Sequence, residues 1–89
     1  MIIKMSKFGT LLNSRPTARE DSLRLRQIID GASNDKDIVL DFSGVEIVTP
    51  SYADELFLSL KEQYHGKKIS VQNAETLIVK QTLNEIVKM

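Results

Sequence analysis

Between Thr49 and Tyr64 the apolar positions recur at helical spacing. Ala53, Leu56, Phe57, Leu60 and Tyr64 fall on one stripe, and Asp54, Glu55, Lys61 and Glu62 lie off it. Upstream, Asp37 to Phe42 holds the apolar run Ile38-Val39-Leu40 and has no alternation, which predicts a strand covered on both faces. A Ser43-Gly44 pair and a second apolar patch, Val45 to Val48, separate the two. Thr49-Pro50-Ser51 ends that patch and starts the helix, with Ser51 as the expected N-cap and Asp54 three residues on in a capping-box-like arrangement. His65-Gly66 is the expected end, Gly66 serving as a left-handed cap. The stretch from Ile38 to Tyr64 thus predicts a buried strand, a loop at its C-terminal end and a helix launched from that loop. Open α/β sheets place their sites at such junctions.

The remaining chain fits around this unit. Ile3, Met5 and Phe8 alternate roughly with polar residues and predict extended structure over Met1 to Ser14, broken by a turn at Gly9, with Thr10-Leu11-Leu12 as a second short strand. Pro16 suits the first turn of a helix whose apolar face is Ala18, Leu25, Ile28, Ile29 and Ala32, ending near Gly31 before a turn at Ser33 to Lys36. Ile69 to Gln72 alternates as a short strand. Asn73 is the expected cap of a last helix, Ala74 to Val87, with Ile78, Val79, Leu83, Ile86 and Val87 on its apolar stripe. The order β-β-α-β-α-β-α over residues 1–89 predicts a single α/β domain with a mixed, mainly parallel sheet, right-handed crossovers and three helices.

Composition narrows the function classes. The 89 residues are 42% hydrophobic and 27% charged, as in an ordinary globular domain with a modest core. Twelve basic and twelve acidic side chains give a formal net charge of zero, so no global field draws the chain to nucleic acid or to an anionic membrane. It also leaves self-association unopposed, and a homodimeric structural subunit is an alternative expectation. There is no cysteine, which excludes disulfides, thiolate catalysis and cysteine-bound zinc. No stretch is long and apolar enough for a membrane span or a signal peptide, and a cytoplasmic location is expected.

The order of elements and several motifs resemble the STAS domain (sulphate transporter and anti-sigma factor antagonist). A strand ending Asp-apolar-Ser-Gly-Val leads there to a loop and a helix, as Asp41-Phe42-Ser43-Gly44-Val45 does here. In detail the chain is closer to a STAS-like family of unknown function, through Phe8-Gly9, Ser14-Arg15, Asp41-Phe42 and Ser51-Tyr52-Ala53-Asp54-Glu55-Leu56. The resemblance implies a small protein-binding module whose partner is a histidine-kinase-like ATPase, and a phosphorylated serine at the helix start, which falls on Ser51. Thr49-Pro50-Ser51-Tyr52 departs from the Asp-Ser-Ser-Gly carried by the anti-sigma antagonists.

The candidate partner-binding residues are therefore Arg15, Thr49, Ser51, Tyr52, Asp54 and Glu55. A phosphate on Ser51 would meet the orphan N–H groups and the positive end of the helix dipole, whereas as a plain N-cap the residue contributes about 1 kcal/mol. Tyr52 is either an amphipathic surface contact or a residue packed beside the stripe. A small enzyme or ligand-binding protein using Arg15, Asp41 and Asp54 is the alternative reading, but no nucleophile or third ligand accompanies them, and no catalytic residue, metal or cofactor is expected. His65 fits an exposed position at a helix C-terminus, and Arg19, Arg24 and Arg26 a solvated face balanced by Glu20, Asp21 and Asp30. If the strand at Leu11-Leu12 and the strand Asp37 to Phe42 run parallel as neighbours, Arg15 should lie beside Ser51 and Asp54.

Overall fold

The structure is a computed structural model that describes residues 1–31 and 36–87, with only the backbone of residues 78 and 85–87. Its elements are β1 (Ile2–Lys4), a 3-10 turn (Met5–Phe8), β2 (Leu11–Leu12), α1 (Arg15–Gly31), β3 (Asp37–Asp41), β4 (Ile47–Val48), α2 (Pro50–Gln63), β5 (Lys68–Gln72) and α3 (Leu77–Val87). All pairings among them are parallel. One sheet has the order β1-β3-β5, and β2 pairs with β4 in a separate two-stranded ladder. The expected α/β architecture with three helices is present.

Three details differ from the sequence reading. Met5 to Phe8 winds into a 3-10 turn instead of continuing the first strand; Met5 is buried and the Phe8 ring lies 4.8 Å from the Arg24 guanidinium of α1. The patch at Val45 to Val48 contains an extra strand, β4, because Leu12 needs a partner once β1 has taken the edge of β3. β2 therefore neighbours β4 and not β3.

The middle of β3, Ile38 to Leu40, is apolar without alternation, yet only one face of the strand is covered. Register places Ile3, Leu40 and Val71 in one row and Ile2, Val39 and Ser70 in the opposite one. The first row faces the helices; in the second, Ile2 is 63% exposed and Val39 and Ser70 are half-buried. Three helices packed in sequence, α1 on α2 and α2 on α3, cover a single face of so small a sheet. The core joins Ile3, Ile38, Leu40 and Phe42 to Leu12, Val45 and Val48, and to Ala18, Leu25 and Ile29 of α1, Ala53, Leu56, Phe57 and Leu60 of α2, and Val79 and Leu83 of α3. Val71 is half-buried on the edge strand, and Ile28, expected on the apolar face of α1, is exposed. Ala32, the turn at Ser33 to Lys36 and the side chains of Ile78, Ile86 and Val87 lie wholly or mostly outside the described residues.

Helix ends also shift. α2 starts on Thr49, not Ser51, and closes at Tyr64, whose N–H donates to the Leu60 carbonyl. Gly66 is not in the left-handed region; Tyr64 to Lys67 forms a turn closed by the Lys67 N–H. α3 begins three residues later than expected, where the Thr76 hydroxyl accepts from the Val79 N–H. Asn73, the expected cap, instead adopts a left-handed conformation with φ 58°, which asparagine tolerates, and ends β5.

Candidate functional site

Leu12 and Val48 are register partners at the C-terminal ends of β2 and β4, and the ladder continues through the Thr49 N–H to the Leu12 carbonyl. Each strand then passes into a helix within a few residues, so the starts of α1 and α2 are held side by side. Thr49 joins them. Its Oγ1 accepts from the Tyr52 N–H at 3.3 Å, satisfying one orphan donor of α2, and from the Ser14 N–H at 3.4 Å, at the entrance to α1. Pro50, lacking an N–H, occupies the first helical position where none is needed. Ser14 has φ 76°, rare for a residue with a Cβ, and its Oγ accepts from the Thr17 N–H as the cap of α1.

On this frame sits a charge cluster. Arg15 Nη1 lies 2.9 Å from Asp54 Oδ2 and 3.5 Å from Glu55 Oε1, and Arg19 Nε lies 3.7 Å from Glu55 Oε2. Two cations balance two anions. The hydrogen bond with Asp54 is the main cause that raises the Arg15 pKa above its ordinary value. Both Arg15 and Asp54 side chains are 45% exposed, so the pairing adds little to stability and stays open to exchange with another partner. Ser51, the second residue of α2, is exposed beside the cluster and makes no side-chain hydrogen bond among the described residues.

Tyr52 is not a surface contact. It is fully buried, and its hydroxyl donates to Asp21 Oδ2 of α1 at 2.7 Å. Burial, then the bond to Asp21, pushes the phenol well above its ordinary pKa. The pair locks the first turn of α2 to α1 beneath the charge cluster.

Asp41 belongs to a different network. Its Oδ1 accepts from the Ser43 N–H at 2.9 Å and from Asn73 Nδ2 at 3.0 Å, and these two bonds, in that order, hold the carboxyl below the usual carboxylate range. The turn it anchors needs Gly44, at φ 80° in its third position, and the Gly44 N–H donates to Glu75 Oε1 at 2.8 Å. The bonds of Asp41 thus tie the β3 turn to the segment after β5. Arg15, which an enzymatic reading would combine with Asp41 and Asp54, pairs with Asp54 and Glu55 instead. Among the described residues no group of three or more His, Cys, Asp or Glu side chains could hold a metal ion.

Of the sequence candidates, Arg15, Thr49, Ser51, Asp54 and Glu55 come together, and Tyr52 lies beneath them. Arg19 and Ser14 are additions. Arg19 is one helical turn from Arg15, and that i, i+4 spacing was the available signal. The left-handed Ser14 has no counterpart in composition or periodicity.

Comparison with known families gives a match. The model of the family described as a STAS-like domain of unknown function (DUF4325) covers residues 23–78. The chain belongs to that family. Neither the curated proteins nor the solved structures yield a match. The STAS-like match begins within α1 and ends within α3, so β1, β2 and Arg15 lie outside it, while Thr49, Ser51, Asp54 and Glu55 lie inside. No helix among the described residues is long and apolar enough to cross a membrane.

Proposed function

We propose that this STAS-like domain is a non-enzymatic regulatory module that binds a protein partner through residues 48–55 and the facing start of α1. The partner class suggested by the likeness to anti-sigma factor antagonists is a histidine-kinase-like ATPase on a separate chain, and a cytoplasmic setting is part of the proposal. The observation that carries the reading is the partly exposed, charge-balanced cluster of Arg15, Arg19, Asp54 and Glu55 across two helix starts locked together from below. Such a cluster gives little stability and can trade its internal pairs for pairs with a partner, which provides specificity more than raw affinity.

Ser51 supplies the switch in this proposal. A phosphate there would add close to two negative charges at the N-terminal end of α2. Asp54 and Glu55 would oppose it, but Arg15 and Arg19 already offset them, and Arg15 would be drawn from Asp54 towards the new dianion. The pairs presented to the partner would then be rearranged without unfolding the domain.

The test is affinity capture of the partner from the native cell, followed by titration of the purified partner against three proteins. Arg15→Ala should lower affinity about 10-fold or more while leaving the denaturant midpoint close to that of wild type. Ser51→Asp should stay folded and lose the partner. Wild-type affinity in both variants would reject this surface; a loss of stability without loss of binding would make the cluster structural.

A further inference from the structure

The backbone groups of β5 divide by side. The Lys68 N–H donates to the Lys36 carbonyl at 2.8 Å, and the Gln72 carbonyl accepts from the Phe42 N–H at 3.0 Å. The even-numbered residues of the strand therefore turn their N–H and C=O groups towards β3. Alternation turns those of Ile69 and Val71 the other way. β5 is an outer strand of its sheet, and no other strand among the described residues pairs with that edge. At five residues it is also the longest free edge among them. β1, on the opposite side of the sheet, has three residues, ends in Lys4 and passes at once into the 3-10 turn. An unpaired edge of this kind is a template for a further strand.

The strand that fits it best is β5 itself. Place a second β5 antiparallel to the first, about a two-fold axis at Ser70. Ile69 then stands opposite Val71, Ser70 opposite Ser70, and Lys68 opposite Gln72. Opposed residues in an antiparallel ladder alternate between pairs that exchange both backbone bonds and pairs that exchange none. In this register the bonded pairs are Ile69 with Val71, whose groups already point outwards. No like charges meet. The opposed Ile and Val side chains lie on the helix side, where each is half-buried against the core and gains cover from the other. A hollow lined in part by Tyr64 and Ile69 leaves room for them on that side. The formal net charge of zero adds no general repulsion between copies.

We propose that the chain forms a two-fold symmetric dimer by antiparallel pairing of β5 with β5 of a second copy, which joins their two sheets into one. The axis stands perpendicular to the sheet. The helices of both copies therefore lie on one face, and the two surfaces at residues 48–55 point to opposite ends. Pairing consumes this edge in both copies, so assembly closes at the dimer. The interface is separate from the partner surface.

Sedimentation equilibrium of the whole chain tests it. The mass should rise to twice that of the monomer with concentration, with a Kd below about 1 mM, since one strand pair is a small interface. The Ser70 side chain is half-buried on the open face of the sheet, where a monomer accommodates a charge, but in the dimer it meets its own copy. Ser70→Lys and Ser70→Glu should each raise the Kd about 10-fold or more, with amide spectra showing an intact fold, and an equal mixture of the two should recover the dimer. Ile2→Lys alters the open face of the sheet far from β5 and should associate as wild type does. The proposal is overturned if the wild-type chain stays monomeric at about 1 mM, if either Ser70 variant alone associates as wild type does, or if the mixture recovers no dimer. Loss of the dimer in Ile2→Lys would move the interface to the sheet face and overturn it as well.

Discussion

Removing one oxygen atom tests the frame beneath the candidate site. Tyr52→Phe keeps the ring in its place and deletes the hydroxyl that donates to Asp21 Oδ2 at 2.7 Å. Tyr52 is fully buried and Asp21 only 5% exposed, so water cannot readily replace the lost donor. A hydrogen bond to a charged group contributes about 1.5–3 kcal/mol, and an acceptor left buried and unpaired costs a similar amount. We expect a loss of about 2 kcal/mol in urea unfolding, with an unchanged m value, and a Tm lower by about 8–16 °C for a domain of this size. The pH dependence gives a second reading. In the unfolded chain a tyrosine ionises near pH 10, whereas the folded Tyr52 stays protonated well above that, mainly because it is buried. Its contribution to stability is therefore complete below about pH 10 and is lost as pH rises further. Phenylalanine has no such loss, so the gap between wild type and variant should narrow above about pH 10. Tyr64, pushed up to about 12 chiefly by burial, keeps its own alkaline loss in both proteins and cancels in the comparison. Stability within about 0.5 kcal/mol of wild type, or a gap that stays constant into alkali, would refute the buried bond.

Thr49→Ala should cost about 1 kcal/mol or more, because it uncaps α2 and removes the acceptor of the Ser14 N–H, whereas Ser51→Ala should be close to neutral; thermal melts of the two variants decide which residue is the cap. Leu56→Ala and Phe57→Ala should each cost about 2–5 kcal/mol in denaturant unfolding, since both side chains are buried in the core, and near-wild-type stability would place the wrong face of α2 inwards. The depressed pKa of Asp41 means that its contribution is complete above the ordinary carboxylate value of about 3.9 and is lost as pH falls through the folded value. Asp41→Asn should therefore show a shallower acid loss of stability than wild type, and identical acid slopes would contradict the hydrogen bonds drawn to it.

The sequence carries long-period information well and single contacts poorly. The stripe Ala53, Leu56, Phe57 and Leu60 is legible because four residues repeat one angular position, and all four are buried. Ile47-Val48 is a strand of two residues, too short for any period to register, and it shows only in the ladder with β2. Even so, Arg15 and Asp54 were expected to meet on topological grounds, and they do. The strand adjacency behind that expectation was wrong, but β4 leads into α2 just as the end of β3 was supposed to. Pro50 carried the signal for Thr49 as the cap, since proline favours the first helical position and the cap is the residue before it. The spacing of Tyr52 to Leu56 already placed Tyr52 near the inward stripe, but its partner Asp21 stands on another helix, and no local pattern reports such a pair.

The wholly parallel pairing also governs how the chain reaches this state. Every ladder joins strands more than thirty residues apart, as in Ile2 with Val39, Leu11 with Ile47 and Asp37 with Lys68. There is no hairpin among the described residues, so no two strands can zip together from a short turn. The first sheet contact must close a loop that contains all or most of a helix, and the entropy of that closure precedes any return from the ladder. Local order can begin only in the helices, and the α1–α2 face, to which Tyr52 and Asp21 belong, is the surface on which early collapse can gather the strands. Refolding should therefore be slower than for a helical bundle of the same length, and Tyr52→Phe should slow it as well as speed unfolding.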